Sequence, residues 1–204
     1  MHFQWLGQTC VKLQTKNLDE DITILIDPYR PSKGDFPRSF SPHIGLFSHG
    51  TENAVTLSQD PFALDTLGEC ETKGVMVYSL TGGEENLMFK INAEGMNVLH
   101  LGKMKKPIEN GDLEKIGSVD ILLIPVGGGD YLSPEDAANL VTALEPRIVI
   151  PIASECDTDP KALSVNAFIK ELGLKPETTD KKIIIKQKDL PQEDTKLFIL
   201  EKNY

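Results

Sequence analysis

No stretch of roughly 18 consecutive apolar residues occurs in the chain, so no segment is expected to span a membrane. Its opening residues, Met1-His2-Phe3-Gln4-Trp5, lack the basic start, apolar run and small-residue cleavage site of a secretory signal. Cysteine is scarce: Cys10, Cys70 and Cys156 are unclustered and form no Cys-x-x-Cys pair. That spacing argues against a disulfide framework and leads to the expectation of a reducing cytoplasm. Basic charge is short as well, with 21 Lys and Arg against 31 Asp and Glu, a net charge of −10 and a pI near 4.9. Too few cations are left to replace phosphate counterions, which disfavours nucleic acid as a partner. The one local cluster of note, Lys103-Met104-Lys105-Lys106-Pro107, reads as a solvated loop.

What is present suffices for one well-buried domain over residues 1–204, since 40% of the chain is apolar and a second full domain would be crowded. Phe3, Trp5, Val11 and Leu13 alternate with polar residues around a Gly7 turn, and Ile22–Asp27 closes a hairpin. Pro28 stops that strand, and Pro31, Pro37 and Pro42 make residues 29–43 a surface loop. The short apolar run Ile44–Phe47 reads as a buried strand that feeds Ser48-His49-Gly50, a histidine delivered into a polar loop at a strand end. Runs at Ala54–Leu57, Phe62–Leu64, Val75–Tyr78, Leu87–Ile91 and Met96–Leu101, parted by turn residues, predict a mainly antiparallel sheet.

The second half changes character. Ile121–Val126 is apolar throughout, as in a strand covered on both faces. Ser133-Pro134-Glu135-Asp136 is a helix start, with Ser as N-cap, Pro in the first turn and acids at the positive end of the dipole. Ala137, Leu140, Val141 and Leu144 supply its buried stripe, Pro146 ends it, and Arg147–Ile152 follows as another buried strand. The pattern predicts a second helix from about Pro160 to Leu172 with Gly173 as its stop, then a closing hairpin of Lys182–Lys188 and Lys196–Glu201. A sheet-rich half followed by helix–strand–helix fits an α+β protein, an αββα sandwich of two sheets with helices outside.

Six segments agree in order and spacing with one family: Trp5-Leu6-Gly7, Ile24-Leu25-Ile26-Asp27-Pro28, Ile44–His49, His100-Leu101-Gly102, Ile124-Pro125-Val126-Gly127-Gly128 and Ile150-Pro151-Ile152. In these the chain resembles the metallo-β-lactamase fold superfamily, in its small branch of Zn-dependent hydrolases similar to ascorbate-6-phosphate lactonase. The resemblance implies two mixed sheets with helices on the outer faces and a dinuclear zinc site that depresses the pKa of a bridging water.

The ligands that the resemblance implies are mostly replaced here. His49 matches the first histidine of the family's His-x-His-x-Asp-His motif, whereas Thr51, Asn53 and Ala54 stand at its other three positions. The next histidine is absent from the loop Leu80-Thr81-Gly82-Gly83, and Ala153 and Gln8 stand where two more are expected. Lys103 occupies the position of the bridging aspartate. A cation there would repel each metal charge by roughly 4 kcal/mol at 4 Å in an intermediate dielectric. Asp27 belongs, by the same resemblance, to the support beside the site. The expectation is a degenerate homologue without metal that binds a small polar or anionic ligand or another protein, itself included. Its pocket would be drawn from Gln8, Asp27, Ser48, His49, Thr51, Glu52, Asn53, Lys103, Gly127, Gly128 and Ala153, with Lys103 neutralising Asp27 or Glu52. The rival expectation is a hydrolase with a reduced site. It would hold one Zn or Mn ion on His49 with Glu52 or Asp27, or work without metal through His49 and Lys103. Gly127-Gly128-Gly129 reads as a tight turn, and Cys156, His2, His43 and His100 as structural.

Overall fold

Strand alternation decides which side chains enter the space between the two main sheets. The computed structural model describes residues 1–83, 86–108 and 110–204. Strands β1 (His2–Gly7), β2 (Cys10–Asn17) and β3 (Glu20–Ile26) run antiparallel in sequence. After β4 (Ser39–Phe40) come β5 (Ile44–Leu46), β6 (Thr56–Leu57) and β7 (Phe62–Leu64), with β5 and β7 extending the same sheet in parallel beside β3. Next are β8 (Gly68–Thr72), β9 (Val75–Thr81), β10 (Leu87–Ala93) and β11 (Met96–His100), an antiparallel run. Helix α1 (Asn110–Ile116), β12 (Ile121–Pro125), α2 (Pro134–Leu144), β13 (Ile148–Ile152) and α3 (Val165–Leu172) follow, then β14 (Pro176–Asp180), β15 (Ile183–Ile184) and β16 (Lys196–Leu200).

The result is two mixed sheets, six strands in the order β15-β1-β2-β3-β5-β7 and eight in the order β14-β16-β13-β12-β11-β10-β9-β8, with a small β4-β6 ribbon. Phe3, Val11, Leu13, Ile22, Ile24 and Ile26 from the first sheet meet Val77, Phe89, Ile91, Ile121 and Ile150 from the second in one buried core. The alternate residues of β12 and β13, Leu122, Ile124 and Val149, point the other way and pack under Leu140, Val141 and Phe168 of the helices. Those strands are therefore apolar at every position, as a strand covered on both faces must be. The opposite outer face is partly polar and is covered near its site end by Tyr29, Phe36, Phe40 and Leu57 of the proline-rich loop and ribbon.

Helix α2 starts as its residues dictate: Ser133 accepts from the Asp136 N–H, and Pro134 opens the first turn. Helix α3 is shorter than the expected Pro160–Leu172. Residues 160–163 are held in a turn, where the Leu163 N–H donates to the Gly127 carbonyl at 2.7 Å, and Ser164 becomes the cap. The expected closing hairpin does not form either. β15 pairs antiparallel with β1, and β16 lies parallel between β13 and β14, so the two segments serve different sheets. Strands β8 and β14 carry no clear hydrophobic alternation, and the sequence pattern does not reveal them.

Candidate functional site

The ends of the parallel strands β3, β5, β11, β12 and β13 open on one edge of the sandwich, the place where crossover sheets present loops for chemistry. Three residues other than glycine take positive φ there: Gln8 at 46°, Asp27 at 48° and Ala153 at 54°. Such a conformation costs roughly 1–2 kcal/mol per residue with an L side chain and persists only where its surroundings fix it. Here they do. The Ala153 N–H and the Trp5 indole N–H both donate to the Gln8 carbonyl, at 2.9 and 2.7 Å, which ties the first turn to the end of β13. The Asp27 N–H donates to Leu46, which ties β3 to β5.

Asp27 is buried, and its carboxylate is filled by one neighbour. The Ser48 N–H donates to Oδ1 at 2.6 Å and the Ser48 hydroxyl to Oδ2 at 2.7 Å. His49 Nδ1 lies 2.9 Å from Ser48 Oγ and 3.8 Å from Asp27 Oδ2. The single hydroxyl proton of Ser48 is committed to a carboxylate, which can only accept, so Nδ1 must carry the proton and donate to Oγ. Nε2 of a neutral His49 is then an acceptor on a side chain 37% exposed, whereas that of Asp27 is 1% exposed. In this order, Asp–Ser–His, the hydroxyl is a buried connector and not a nucleophile. The imidazole is the group that faces outward.

Beneath this row lies His100, fully buried, with both ring nitrogens occupied. Nε2–H donates to the Thr9 carbonyl at 2.9 Å and Nδ1 accepts from the Gly102 N–H at 3.0 Å. Burial lowers its pKa, against the raising pull of Asp27 and the Thr9 carbonyl. Gly102 has φ +62°, and a Cβ there would stand 2.5 Å from Asn86 Oδ1 and 2.6 Å from the Ser48 Cβ, so only glycine fits. Asn86 closes the arrangement. Its Oδ1 accepts from the Lys103 N–H at 2.7 Å, and its Nδ2 donates to the Leu101 carbonyl at 3.0 Å. Sequence reasoning missed Asn86. The only signal was an asparagine three residues after a Gly-Gly pair, just before a strand.

The residues singled out in the sequence separate into groups. Asp27, Ser48 and His49 are joined by hydrogen bonds, Gln8 and Ala153 form a second pair, and Thr51, Glu52 and Asn53 lie on an exposed turn. Lys103 is exposed and makes no ion pair with Asp27 or Glu52 among the described residues; Ser48 has taken the carboxylate it was expected to neutralise. A Cβ on Gly127 would stand 2.1 Å from the Ala153 carbonyl, and the Gly128 N–H is already given to Leu132. The Gly127-Gly128 pair is thus a close crossing of backbones with no donor left on Gly128 for an anion. Cys156 pairs with the Thr158 hydroxyl at 3.3 Å, and His43 accepts from the Thr23 N–H. Two cavities flank the row. One of about 520 Å³ reaches Ser48 and Gly50. The other, of about 620 Å³, holds Lys103, and both share Thr81, Gly83 and Asn86.

A zinc ion needs three or four converging nitrogen, sulfur or carboxylate donors. No group of three His, Cys, Asp or Glu side chains with that convergence exists among the described residues. The available donors argue the same way: both His100 nitrogens and both Asp27 oxygens are engaged, and Glu52 lies on an exposed turn. Among the described residues, the donors present do not fit a dinuclear metal centre. No helix among the described residues is long and apolar enough to cross a membrane.

Residues 2–153 match the family described as the beta-lactamase superfamily domain. A UPF0173 protein of Pyrococcus abyssi is 25% identical over 180 residues, which is 74% of this chain and 82% of the relative. A UPF0173 metal-dependent hydrolase of Pelotomaculum thermopropionicum is 37% identical over 67 residues, covering 31% of this chain and 28% of that one. Among solved structures, one named for a Zn-dependent hydrolase of the metallo-β-lactamase superfamily, from Thermotoga maritima, superposes with a TM-score of 0.81. It has 23% identity and covers 98% of each chain. Igni18, a metallo hydrolase of Ignicoccus hospitalis, superposes at 0.63 with 13% identity over 84% of this chain and 90% of its own.

Proposed function

We propose that this chain, which belongs to the beta-lactamase superfamily domain family and has the metallo-β-lactamase fold, is a degenerate member that binds no metal and acts by binding a small polar or anionic ligand. One observation carries the reading: at the strand ends where the resemblance implies metal donors, this chain offers one outward imidazole, His49, an exposed ammonium, Lys103, and an engaged carboxylate, Asp27. The names of its relatives point to metal-dependent hydrolysis. On this reading the change lies in the side chains of this chain and not in its scaffold. The single domain over 1–204 is supported by an inter-sheet core drawn from both halves of the chain, and a reducing cytoplasm by three free cysteines. Calorimetric titration with ZnCl₂ tests the proposal. No saturable heat is expected, and an isotherm with a dissociation constant of about 1 μM or tighter would overturn it.

A second reading rests on the proton order in Asp27–Ser48–His49. Because Nδ1–H is held by Ser48, Nε2 of His49 is a fixed acceptor on a half-exposed side chain whose chain neighbours Ser48 and Gly50 line a cavity, which suits a general base for a water. Lys103 would then be a nearby charge for an oxyanion. This metal-free hydrolase predicts ester hydrolysis that survives exhaustive chelation and disappears in His49→Ala. Hydrolysis that chelation abolishes would contradict both readings.

A further inference from the structure

The proline-rich loop after β3 encloses a separate cavity of about 400 Å³, which shares no lining residue with the two beside the Asp27–Ser48–His49 row. Pro31, Phe36, Pro37 and Val55 are its apolar side chains, and its polar ones are Arg30 and Arg38. The chain has only three arginines, so two of them meet at this one place. The third, Arg147, pairs with Asp120 at 3.5 Å. Arg30 and Arg38 make no ion pair or side-chain hydrogen bond among the described residues, and no acidic side chain lines the cavity with them. Asp157 approaches Gly34 from outside, but both its oxygens are taken: Lys202 Nζ donates to Oδ1 at 2.6 Å and the Asp35 N–H to Oδ2 at 3.0 Å.

The walls are held before any ligand arrives. Phe36 packs between Tyr29 and Phe40, with ring centroids 4.3 and 5.6 Å away. The Arg30 N–H donates to the Asn53 carbonyl at 2.7 Å, which fixes the loop to the turn that leads into Val55. Such preorganisation lowers the ordering cost of binding. A guanidinium presents its donors in a planar fork and is more weakly hydrated than an ammonium, so it pairs readily with a carboxylate. Two forks suffice for both carboxylate oxygens. A phosphate would bring a third oxygen into a lining with no other polar side chain, and an unpaired buried oxygen is costly.

We propose that this cavity binds a small aromatic carboxylate, its charge held by Arg30 and Arg38 and its ring lying among Pro31, Phe36, Pro37 and Val55. The volume is that of a small-molecule pocket. The site goes beyond the ligand-binding reading above and does not rest on it.

The test uses the full chain and sodium benzoate as the probe in calorimetry at low salt. One saturable site with a dissociation constant of about 1 mM or tighter is expected, and a weaker or unsaturable isotherm overturns the proposal. Arg30→Ala and Arg38→Ala should each weaken binding roughly tenfold, the scale of one lost hydrogen bond to a charged group. Both side chains are exposed, so these variants are expected to keep the parent melting temperature. Lys33→Ala, in the same loop but outside the lining, should leave the affinity unchanged. Affinity indifferent to either arginine, or equally weakened by Lys33→Ala, overturns the site. Arg38→Lys keeps the charge without the fork and should bind as poorly as Arg38→Ala; recovered affinity overturns the forked carboxylate. Benzyl alcohol and phenyl phosphate, which carry the same ring, should both bind more weakly than benzoate. An alcohol that binds as well leaves the arginines without a role, and a phosphate that binds as well or better removes the preference for a carboxylate; either overturns the proposal.

Discussion

Asp27→Asn exchanges one buried carboxylate oxygen for an amide NH₂ at nearly constant shape, and it should reverse the proton order through Ser48 to His49. Asparagine tolerates the φ of +48° at this position, so the backbone has no reason to move. The Ser48 N–H, a donor only, keeps the amide oxygen in the place of Oδ1, which puts the new NH₂ against Ser48 Oγ. The hydroxyl must then accept from residue 27 and give its own proton to His49 Nδ1, so that His49 carries its proton on Nε2. Two hydrogen bonds to a charged group, each contributing about 1.5–3 kcal/mol, become neutral ones of about 0.5–1.5. Relief of the buried carboxylate's desolvation offsets part of that loss, leaving about 1–2 kcal/mol. For a chain of this size the melting temperature should fall by about 4 °C. Thermal unfolding reads the stability, and nitrogen NMR of the imidazole distinguishes the tautomers. An Nε2–H tautomer already present in the parent protein, or the same tautomer in both, would refute the reasoning.

Three other outcomes follow from the same geometry. Burial holds the His100 pKa below the ordinary histidine value of 6.5, so the unfolded chain binds that proton more readily. Stability should thus be complete above pH 6.5 and fall as the pH drops below it, by at most about 1.4 kcal/mol per unit from this group, and His100→Asn should remove that slope in denaturant titrations. Gly102→Ala forces a Cβ to within 2.6 Å of three atoms at positive φ and should cost about 3 kcal/mol, visible as a fall of roughly 6–12 °C in melting temperature. Cys10 is buried with its thiol pKa pushed well up, so a thiol reagent should label Cys70 and Cys156 in the native protein and reach Cys10 only on unfolding.

The fold was legible where sequence patterns are strong. Alternation located β1–β3, the Ser133-Pro134 start located α2, and the unbroken apolar runs of β12 and β13 located the strands between core and helices. It was not legible where tertiary bonds decide. The pull of the Gly127 carbonyl on Leu163 delays α3, a local effect of a distant segment. Strands β8 and β14 are held by pairing at sheet edges, with little burial pattern of their own. At the site, the sequence identified Asp27, Ser48 and His49 but expected Lys103 to neutralise Asp27 or Glu52. The structure gives the Asp27 carboxylate to Ser48 and leaves Lys103 to a cavity. Neither choice is written in residue types, because both depend on which way a strand end turns.

Elemental analysis for metal is the most direct test of the central claim. The protein would be prepared without a histidine tag, soaked in Zn²⁺ or Mn²⁺, desalted, and melted beside an untreated sample. Near-zero retained metal and an unchanged melting temperature are expected. One equivalent retained with a clear thermal shift would mean a site rebuilt around His49, and two equivalents would contradict the loss of the metal centre outright.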